Sequence, residues 1–331
     1  VSTGISSAVR RIAPGAWAIR LPIPWPPGGV TSYLFRGRDG YFLIDCGLNT
    51  DETFDVFDEA FREIGIDWRA IRTILVSHLH PDHVGGAARA RRLSGAPVWM
   101  HPSESPLVAP RAEGAFFADT RAYLTEHGVE PALVDEIEAG ARDLSGRTER
   151  LIVDGELREG DRFGYEGGEI EALLAPGHSP ALLAFHDAEN RILFSTDAVL
   201  ERITPNIGVH AFYPGNPLGE YFDTLARLEA LPVGLVVPGH GNPFEDFAGW
   251  IADARRHHRK RLEKIRSAID GGGPTGGRTG WEVAAAIWGD RRPVGQRRMA
   301  LAEGLAHLEF LARTGHAEKR RVDGVVRWRA I

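Results

Sequence analysis

Thr73-Ile74-Leu75-Val76-Ser77-His78-Leu79-His80-Pro81-Asp82-His83 sets an apolar run directly before three imidazoles and a carboxylate. Residues 73–76 read as a buried strand, so the polar cluster sits where that strand emerges into a loop, a recurrent place for ligand-forming groups in α/β folds. Clustered titratable side chains lose hydration on burial, and a divalent cation is the partner that restores it. One short loop cannot surround two ions, so further ligands are expected elsewhere. Three other stretches repeat the device of an apolar strand ending in a ligand: Ala175-Pro176-Gly177-His178-Ser179, Phe194-Ser195-Thr196-Asp197 and Val237-Pro238-Gly239-His240-Gly241. In two of them Pro-Gly turns the backbone so that the imidazole faces the site.

Outward from this core, strands are expected at residues 16–21, 31–35 and 41–45, with a Pro- and Gly-rich loop (Pro22 to Gly29) between the first two. Asp45 ends the third strand, and its expected role is to orient a ligand histidine. Asn49 and Thr50 are plausible caps for a helix whose Phe54, Phe57, Phe61 and Ile64 share one face. A helix over 84–93, a strand at 97–100, a strand-rich stretch over 151–200, a helix over 218–231 and an apolar run at 235–237 continue the alternation, which indicates an α/β layered architecture. Residues 103–148 read as a polar helical insertion suited to covering a site. After residue 254 the character changes: a basic helix over 255–269, a Gly-rich linker over 271–277, helices over 281–288 and 296–314, and two short strands about Asp323-Gly324, a tight-hairpin signal. The expected division is therefore a catalytic domain over 1–254 and a basic, winged-helix-like domain over 255–331.

The chain has 331 residues, 43% hydrophobic and 25% charged, the profile of an ordinary globular protein long enough for a large core. Its net charge of −6 is unevenly placed: residues 255–331 carry 18 Lys and Arg against 8 Asp and Glu, whereas residues 1–254 carry 21 against 37. A tail of +10 on a body of −16 suggests two different surfaces, of which solvated helix faces are the plainer explanation. Cys46 is the single cysteine, which excludes an internal disulfide and a cysteine-rich metal site. It is expected to be a small buried residue rather than a nucleophile. No apolar run approaches the roughly 20 residues of a membrane span, and no signal-peptide pattern opens the sequence; the expected location is cytoplasmic.

In its ordered motifs the sequence resembles the metallo-β-lactamase superfamily, specifically its second-glyoxalase-like branch of two-metal hydrolases. The likeness covers residues from about 10 to 250 and rests on His78-x-His80-x-Asp82-His83, Gly177-His178, Asp197 and Gly239-His240-Gly241. It implies an αββα sandwich with the site at one edge of the paired sheets. It further implies that His78, His80 and His178 hold one metal, Asp82, His83 and His240 a second, and that Asp197 bridges them. The tail resembles the small winged-helix module appended to some members, to which Ile203-Thr204-Pro205-Asn206 and Ala306-His307-Leu308-Glu309-Phe310 add. Ala181, last in Gly177-His178-Ser179-Pro180-Ala181 where many relatives have Gly, and Cys46, where Thr is usual, depart from the common pattern, but neither removes a ligand.

The expected activity is a dinuclear zinc hydrolase in which a metal-bridging hydroxide attacks an ester, thioester or lactone carbonyl, with Asp82 also shuttling a proton. Iron or manganese would suit the same donors. The alternatives are a metal-dependent phosphodiesterase or ribonuclease held by the basic tail, disfavoured by the acidic body, and a promiscuous β-lactamase; the resemblance implies that dedicated lactamases usually lack the bridging aspartate. The expected partner is thus a small-molecule substrate rather than nucleic acid or membrane, and a homodimer is the favoured assembly. Trp25 and His210 are weaker candidates for substrate contact. His101, His127, His186, His257, His258, His307 and His316 are expected to be surface or packing residues.

Overall fold

A computed structural model describes residues 8–26, 28–108, 113–145, 149–270 and 276–331, without the side chains of 113–117 and 141–145. Pro27 in the predicted Pro- and Gly-rich loop and residues 271–275 of the predicted linker lie outside the described residues, as do 109–112 and 146–148 of the predicted insertion.

Two sheets face each other. The first runs β1 (Val9–Ala13), β2 (Ala16–Pro22), β3 (Gly29–Gly37), β4 (Gly40–Ile44), β5 (Ile71–Val76), β6 (Val98–Met100), β7 (Gly155–Glu156) in spatial order. It is antiparallel up to β4 and parallel from there on. The second holds β8 (Arg162–Tyr165), β9 (Gly168–Leu174), β10 (Leu183–Asp187), β11 (Ile192–Thr196) and β12 (Leu235–Pro238), the last pair parallel. The two-residue period of a strand divides its side chains between layers. Phe35, Phe42, Ile44, Leu75, Phe185, Phe194 and Val237 fill the space between the sheets. Leu43, Ile74 and Val76 point the other way, onto α1 (Asp51–Ile64) and α3 (Ala87–Ser94), where Phe54, Phe57, Phe61 and Ala90 meet them. Ala184, Leu193 and Val236 face α7 (Pro217–Glu229) and α8 (Phe247–Ile269) through Tyr221, Leu225 and Ile251. The result is the expected four-layer α/β sandwich.

Two local expectations need correction. The single helix expected over 84–93 is two, α2 (Pro81–Val84) and α3, broken at Gly85-Gly86. A Cβ on Gly85 would sit 2.3 Å from the Pro81 carbonyl oxygen, and one on Gly86 2.3 Å from that of Cys46. These glycines let the 45–47 turn press against the α2–α3 junction, where Cys46 N–H donates to the His83 carbonyl and Gly86 N–H to that of Gly47. The helix expected from residue 255 begins at Phe247, capped by Asp246, whose Oδ1 accepts from Gly249 N–H at 3.0 Å, so it runs through the 254/255 junction. The predicted insertion is largely helical, with α4 (Ser105–Val108), α5 (Glu113–Glu126) and α6 (Pro131–Ser145). Its Leu124, Val134 and Ile137 are buried in the same core cluster as the tail's Leu301 and Leu305.

The tail comprises α9 (Gly280–Trp288), α10 (Val294–Arg313) and a small sheet of β13 (Arg278–Thr279), β15 (Val325–Ala330) and β14 (Ala317–Val322). Val322 pairs with Val325 across Asp323-Gly324, both with positive φ, which is the predicted hairpin. Leu301, Leu305, Leu308 and Trp328 join one continuous core with Leu182, Tyr221 and Ile251 of the body, and Phe310 packs edge-on to Phe222. Leu301, Leu305, Leu308 and Phe310 of the tail therefore pack against the body of the same chain. No helix among the described residues is long and apolar enough to cross a membrane.

Candidate metal centre

The site lies where β5, β11 and β12 end, joined by the loop after β9. The chain leaves β5 at Ser77, whose N–H and hydroxyl both donate to the buried Asp45 carboxylate, at 2.8 and 2.7 Å. Asp45 itself sits at φ +63, an unusual conformation that Asp tolerates better than most residues, and this turns its side chain back under the β5 exit. Its Oδ2 also accepts from His83 Nδ1 at 2.7 Å. The expected orienting role of Asp45 thus has a geometric basis: one carboxylate ties the turn after β4 to both ends of the His-rich segment.

Two of the other rings are oriented from behind in the same way. His178 Nδ1 lies 2.9 Å from the Asn206 carbonyl oxygen, and His240 Nδ1 2.8 Å from that of Gly29. With Nδ1 donating outward, Nε2 is the atom that His83, His178 and His240 aim inward. Asp197 lies between them. Its Oδ1 is 3.3 Å from His83 Nε2, while its Oδ2 is 3.4 Å from both His178 Nε2 and His240 Nε2. Asp82 Oδ2 lies 3.3 Å from His240 Nε2, and His78 Nε2 3.0 Å from His80 Nδ1. Donor atoms of His78, His80 and His178 fall within 4.8 Å of one another, as do those of Asp82, His83 and His240. Asp45, His78 and His83 form a third such set, but there Asp45 already accepts three hydrogen bonds.

The backbone that delivers Asp197 is constrained. Thr196 has φ +46, rare for a β-branched residue, and Gly239 packs so close that a Cβ there would lie 2.3 Å from Asp197 Oδ1. Gly239 N–H donates to the Thr196 carbonyl at 2.7 Å, so the two strand ends close on each other and bring Asp197 beside His240.

Charge distinguishes the rings. Burial among other imidazoles pushes His78 and His80 well below the usual imidazole range. Burial acts the same way on His83 and His240, but carboxylates outweigh it: Asp197 and Asp45 raise His83 well above that range, and Asp197 with Asp82 raises His240 to about 9. Burial would lift Asp197, yet His83 and His240 hold it well below the usual carboxylate range. As protein groups alone, then, protonated rings face carboxylates, a pattern that divalent ions replace with release of protons. His83 Nε2, His178 Nε2 and Asp197 Oδ1 are buried without a well-directed hydrogen bond, so the pocket leaves donors directed at a common centre unsatisfied. Nitrogen and oxygen donors in this number fit divalent metal, and the two residue sets give the chain the capacity for it.

One residue of the site escaped the sequence reading. Glu104 is fully buried, its Oε2 accepting from Leu79 N–H at 2.8 Å and its Oε1 from Ser179 Oγ at 2.5 Å and Ala181 N–H at 2.8 Å. It therefore clamps the His78–His80 loop to the His178 loop. The available signal was its position four residues past β6, at the same end of the sheet as the β5 ligands. Ala181, which stands where many relatives have Gly, is one of its partners. The other candidates divide. His210 stacks on Phe212 at 5.1 Å, and burial with Arg298 and His178 nearby lowers it to about 3, which places a neutral ring near the site. Trp25 is 39% exposed in the loop before β3. Burial and Asp45 push the Cys46 thiol up, so it is no nucleophile. His127, His186, His258 and His307 are buried packing residues, and His316 is exposed, as expected.

Residues 25–240 match the family model described as "Metallo-beta-lactamase superfamily". The chain belongs to that superfamily. This superfamily member is similar along nearly its whole length to two solved structures. One is a metallo-beta-lactamase family protein of Thermus thermophilus (28% identity, TM-score 0.83, covering 96% of this chain and 99% of that one). The other is a beta-lactamase domain protein of Burkholderia ambifaria (28%, TM-score 0.84, 100% and 96%). Among curated proteins it is 27% identical to the probable metallo-hydrolase YqjP of Bacillus subtilis (strain 168), over 76% of this chain and 80% of that protein. It is 24% identical to an atrochrysone carboxyl ACP thioesterase of Emericella nidulans, over 91% and 80%. Family, fold and donor sets together make this a metal-dependent hydrolase.

Proposed function

We propose that the chain is a two-zinc acyl hydrolase of the second-glyoxalase-like branch, with thioesters as its first candidate substrates and esters and lactones next. The observation that carries this reading is the convergence of His83, His178 and His240 Nε2 on the two oxygens of one buried aspartate. His78, His80 and His178 would hold one ion and Asp82, His83 and His240 the other, with Asp197 shared between them. When bound, such a pair supplies an activated water at neutral pH and polarises the scissile carbonyl.

The remaining chemistry belongs to the chain. Asp45, the Asn206 carbonyl and the Gly29 carbonyl keep the Nδ1 protons in place, so that Nε2, once it has released its own proton, faces an ion without the ring turning. His240 holds Asp82 below the usual carboxylate range, against the opposing effect of burial, so its Oδ2 is ionised at neutral pH. In this reading Asp82 accepts the proton of the attacking water and returns it to the leaving group. The carboxylates of Asp45, Asp82 and Asp197 bring more negative charge to the site than one dication neutralises, which favours a pair over a single ion.

The thioester preference draws on the relatives named as acyl-carrier-protein thioesterases. Phosphodiester cleavage is less favoured because several of the tail's cations are engaged locally. Arg255 pairs with Glu229, Arg261 with Glu303, Lys319 with Glu309, Arg321 with Glu126, and Arg320 and Arg329 with Glu318. With its helices and hairpin in winged-helix order, the tail reads as a packing module. The test is a parallel screen of acyl thioesters, esters, lactones, β-lactams and RNA with and without chelator. Chelator-sensitive thioester, ester or lactone turnover supports the reading, and RNA cleavage alone overturns it.

A further inference from the structure

The loop after β11 connects the metal centre to the tail at Asn206. Its carbonyl oxygen accepts from His178 Nδ1 at 2.9 Å, while its side-chain amide donates to Glu303 Oε2 on α10 at 3.3 Å. The other oxygen of Glu303 accepts from Arg261 of α8 at 3.0 Å, and the Arg261 guanidinium lies 4.4 Å over the Trp288 ring of α9. Three residues further along the loop, Val209 N–H donates to the Ala302 carbonyl at 3.0 Å, a second tie to the same turn of α10.

A separate arm reaches His178 from below. Gly177 rests on Tyr221 so closely that a Cβ there would lie 2.6 Å from the Tyr221 Cβ. The Tyr221 ring meets His258 of α8 edge-on at 5.6 Å, and His258 Nδ1 lies 3.2 Å from His307 Nε2. His307 Nδ1 in turn donates to the Glu303 backbone carbonyl at 2.7 Å. Both arms end on one turn of α10. An imidazole coordinates through Nε2 only while Nδ1 keeps its proton and the ring keeps its aim, so the residues that fix the acceptor behind it affect metal affinity without touching the ion.

We propose that Glu303 is a positioning residue for the metal centre: from the C-terminal helices it fixes the Asn206 loop, and through that loop the tautomer and aim of His178. This rests on the two-metal reading above. It gives the tail a part in assembling the site, at one of the two metal positions only, because His178 belongs to only one of the two donor sets.

Zinc affinities of the full chain, measured by competition with a chromogenic chelator, test the proposal, together with the melting temperatures of the same metal-free samples. The variants are Asn206→Ala, Glu303→Ala, their double and Glu303→Gln. Each alanine variant is expected to hold one of two zinc ions on the order of tenfold more weakly and the other within about twofold of wild type. The double should be no weaker than either single variant, because the two residues form one link. Glu303→Gln should stay near wild type: its oxygen still accepts from Arg261, and a flipped Asn206 amide accepts from its NH2. Asn206→Ala leaves α10 intact and carries the test if Glu303→Ala does not fold. Unchanged zinc affinities, or equal losses at both positions tracking a lowered melting temperature, would overturn the proposal. A wild-type chain that binds fewer than two zinc ions would instead overturn the two-metal reading beneath it.

Discussion

Replacing Asp45 by Asn separates hydrogen bonding from backbone conformation, because Asn tolerates the positive φ of this position as Asp does. The carboxylate accepts from Ser77 N–H, Ser77 Oγ and His83 Nδ1, all within 2.8 Å. An amide offers one oxygen and one NH2. If the oxygen stays toward Ser77 N–H, the NH2 faces His83 Nδ1, and the ring must move its proton to Nε2, the atom directed at the metal. If the amide flips, the NH2 opposes Ser77 N–H and that buried donor is lost. Either way one hydrogen bond to a charged group disappears, at a cost of about 1.5–3 kcal/mol. At about 1.4 kcal/mol per decade this is a loss of roughly 10- to 150-fold in metal affinity, and outer partners of metal-binding histidines typically contribute about 10–100-fold. Zinc titration of Asp45→Asn against a competing chelator is the assay, and the loss should fall on the ion held by His83. Binding of both ions within about twofold of wild type would refute the reasoning.

Asp197→Ala should loosen both ions and reduce turnover by roughly two orders of magnitude or more, since a single carboxylate faces all three inward rings; steady-state kinetics beside elemental analysis would show it. Metal affinity should rise with pH, because His240, raised to about 9 by Asp197 and Asp82 against burial, must give up its proton to bind. The sign for the metal-free protein is the reverse: the His240 contribution to stability is full below 6.5 and disappears as pH rises through about 9, which denaturant melts across that window would detect. Trp328→Ala should cost about 3–5 kcal/mol, and because Trp328 shares a core with the body, unfolding monitored in tail and body should remain one transition; two separated transitions would contradict a shared core.

The residues that converge at the site were readable in the sequence because His and Asp at the ends of apolar strands are a local feature. Strand positions were readable from alternation, as with Leu43 and Ile74 against Phe42 and Leu75. Glu104 was not, since a lone Glu in a polar stretch has no pattern and its partners Ser179 and Ala181 lie more than 70 residues away. The start of α8 was missed because the basic run from Arg255 drew the boundary, while the helical face begins at Phe247 and Ile251. The break at Gly85-Gly86 follows from contact with the backbone at Pro81, Cys46 and Gly47, a tertiary cause with no local signature beyond the glycines themselves. The joining of tail and body into one core has the same origin, because the apolar face of α10 does not say which surface covers it.

The central claim is that this constellation holds a metal pair, and elemental analysis of the purified chain tests it most directly. The account predicts about two divalent ions per chain, with zinc the proposed occupant, removed by chelation and restored on addition. A chain that takes up no metal after supplementation would contradict it.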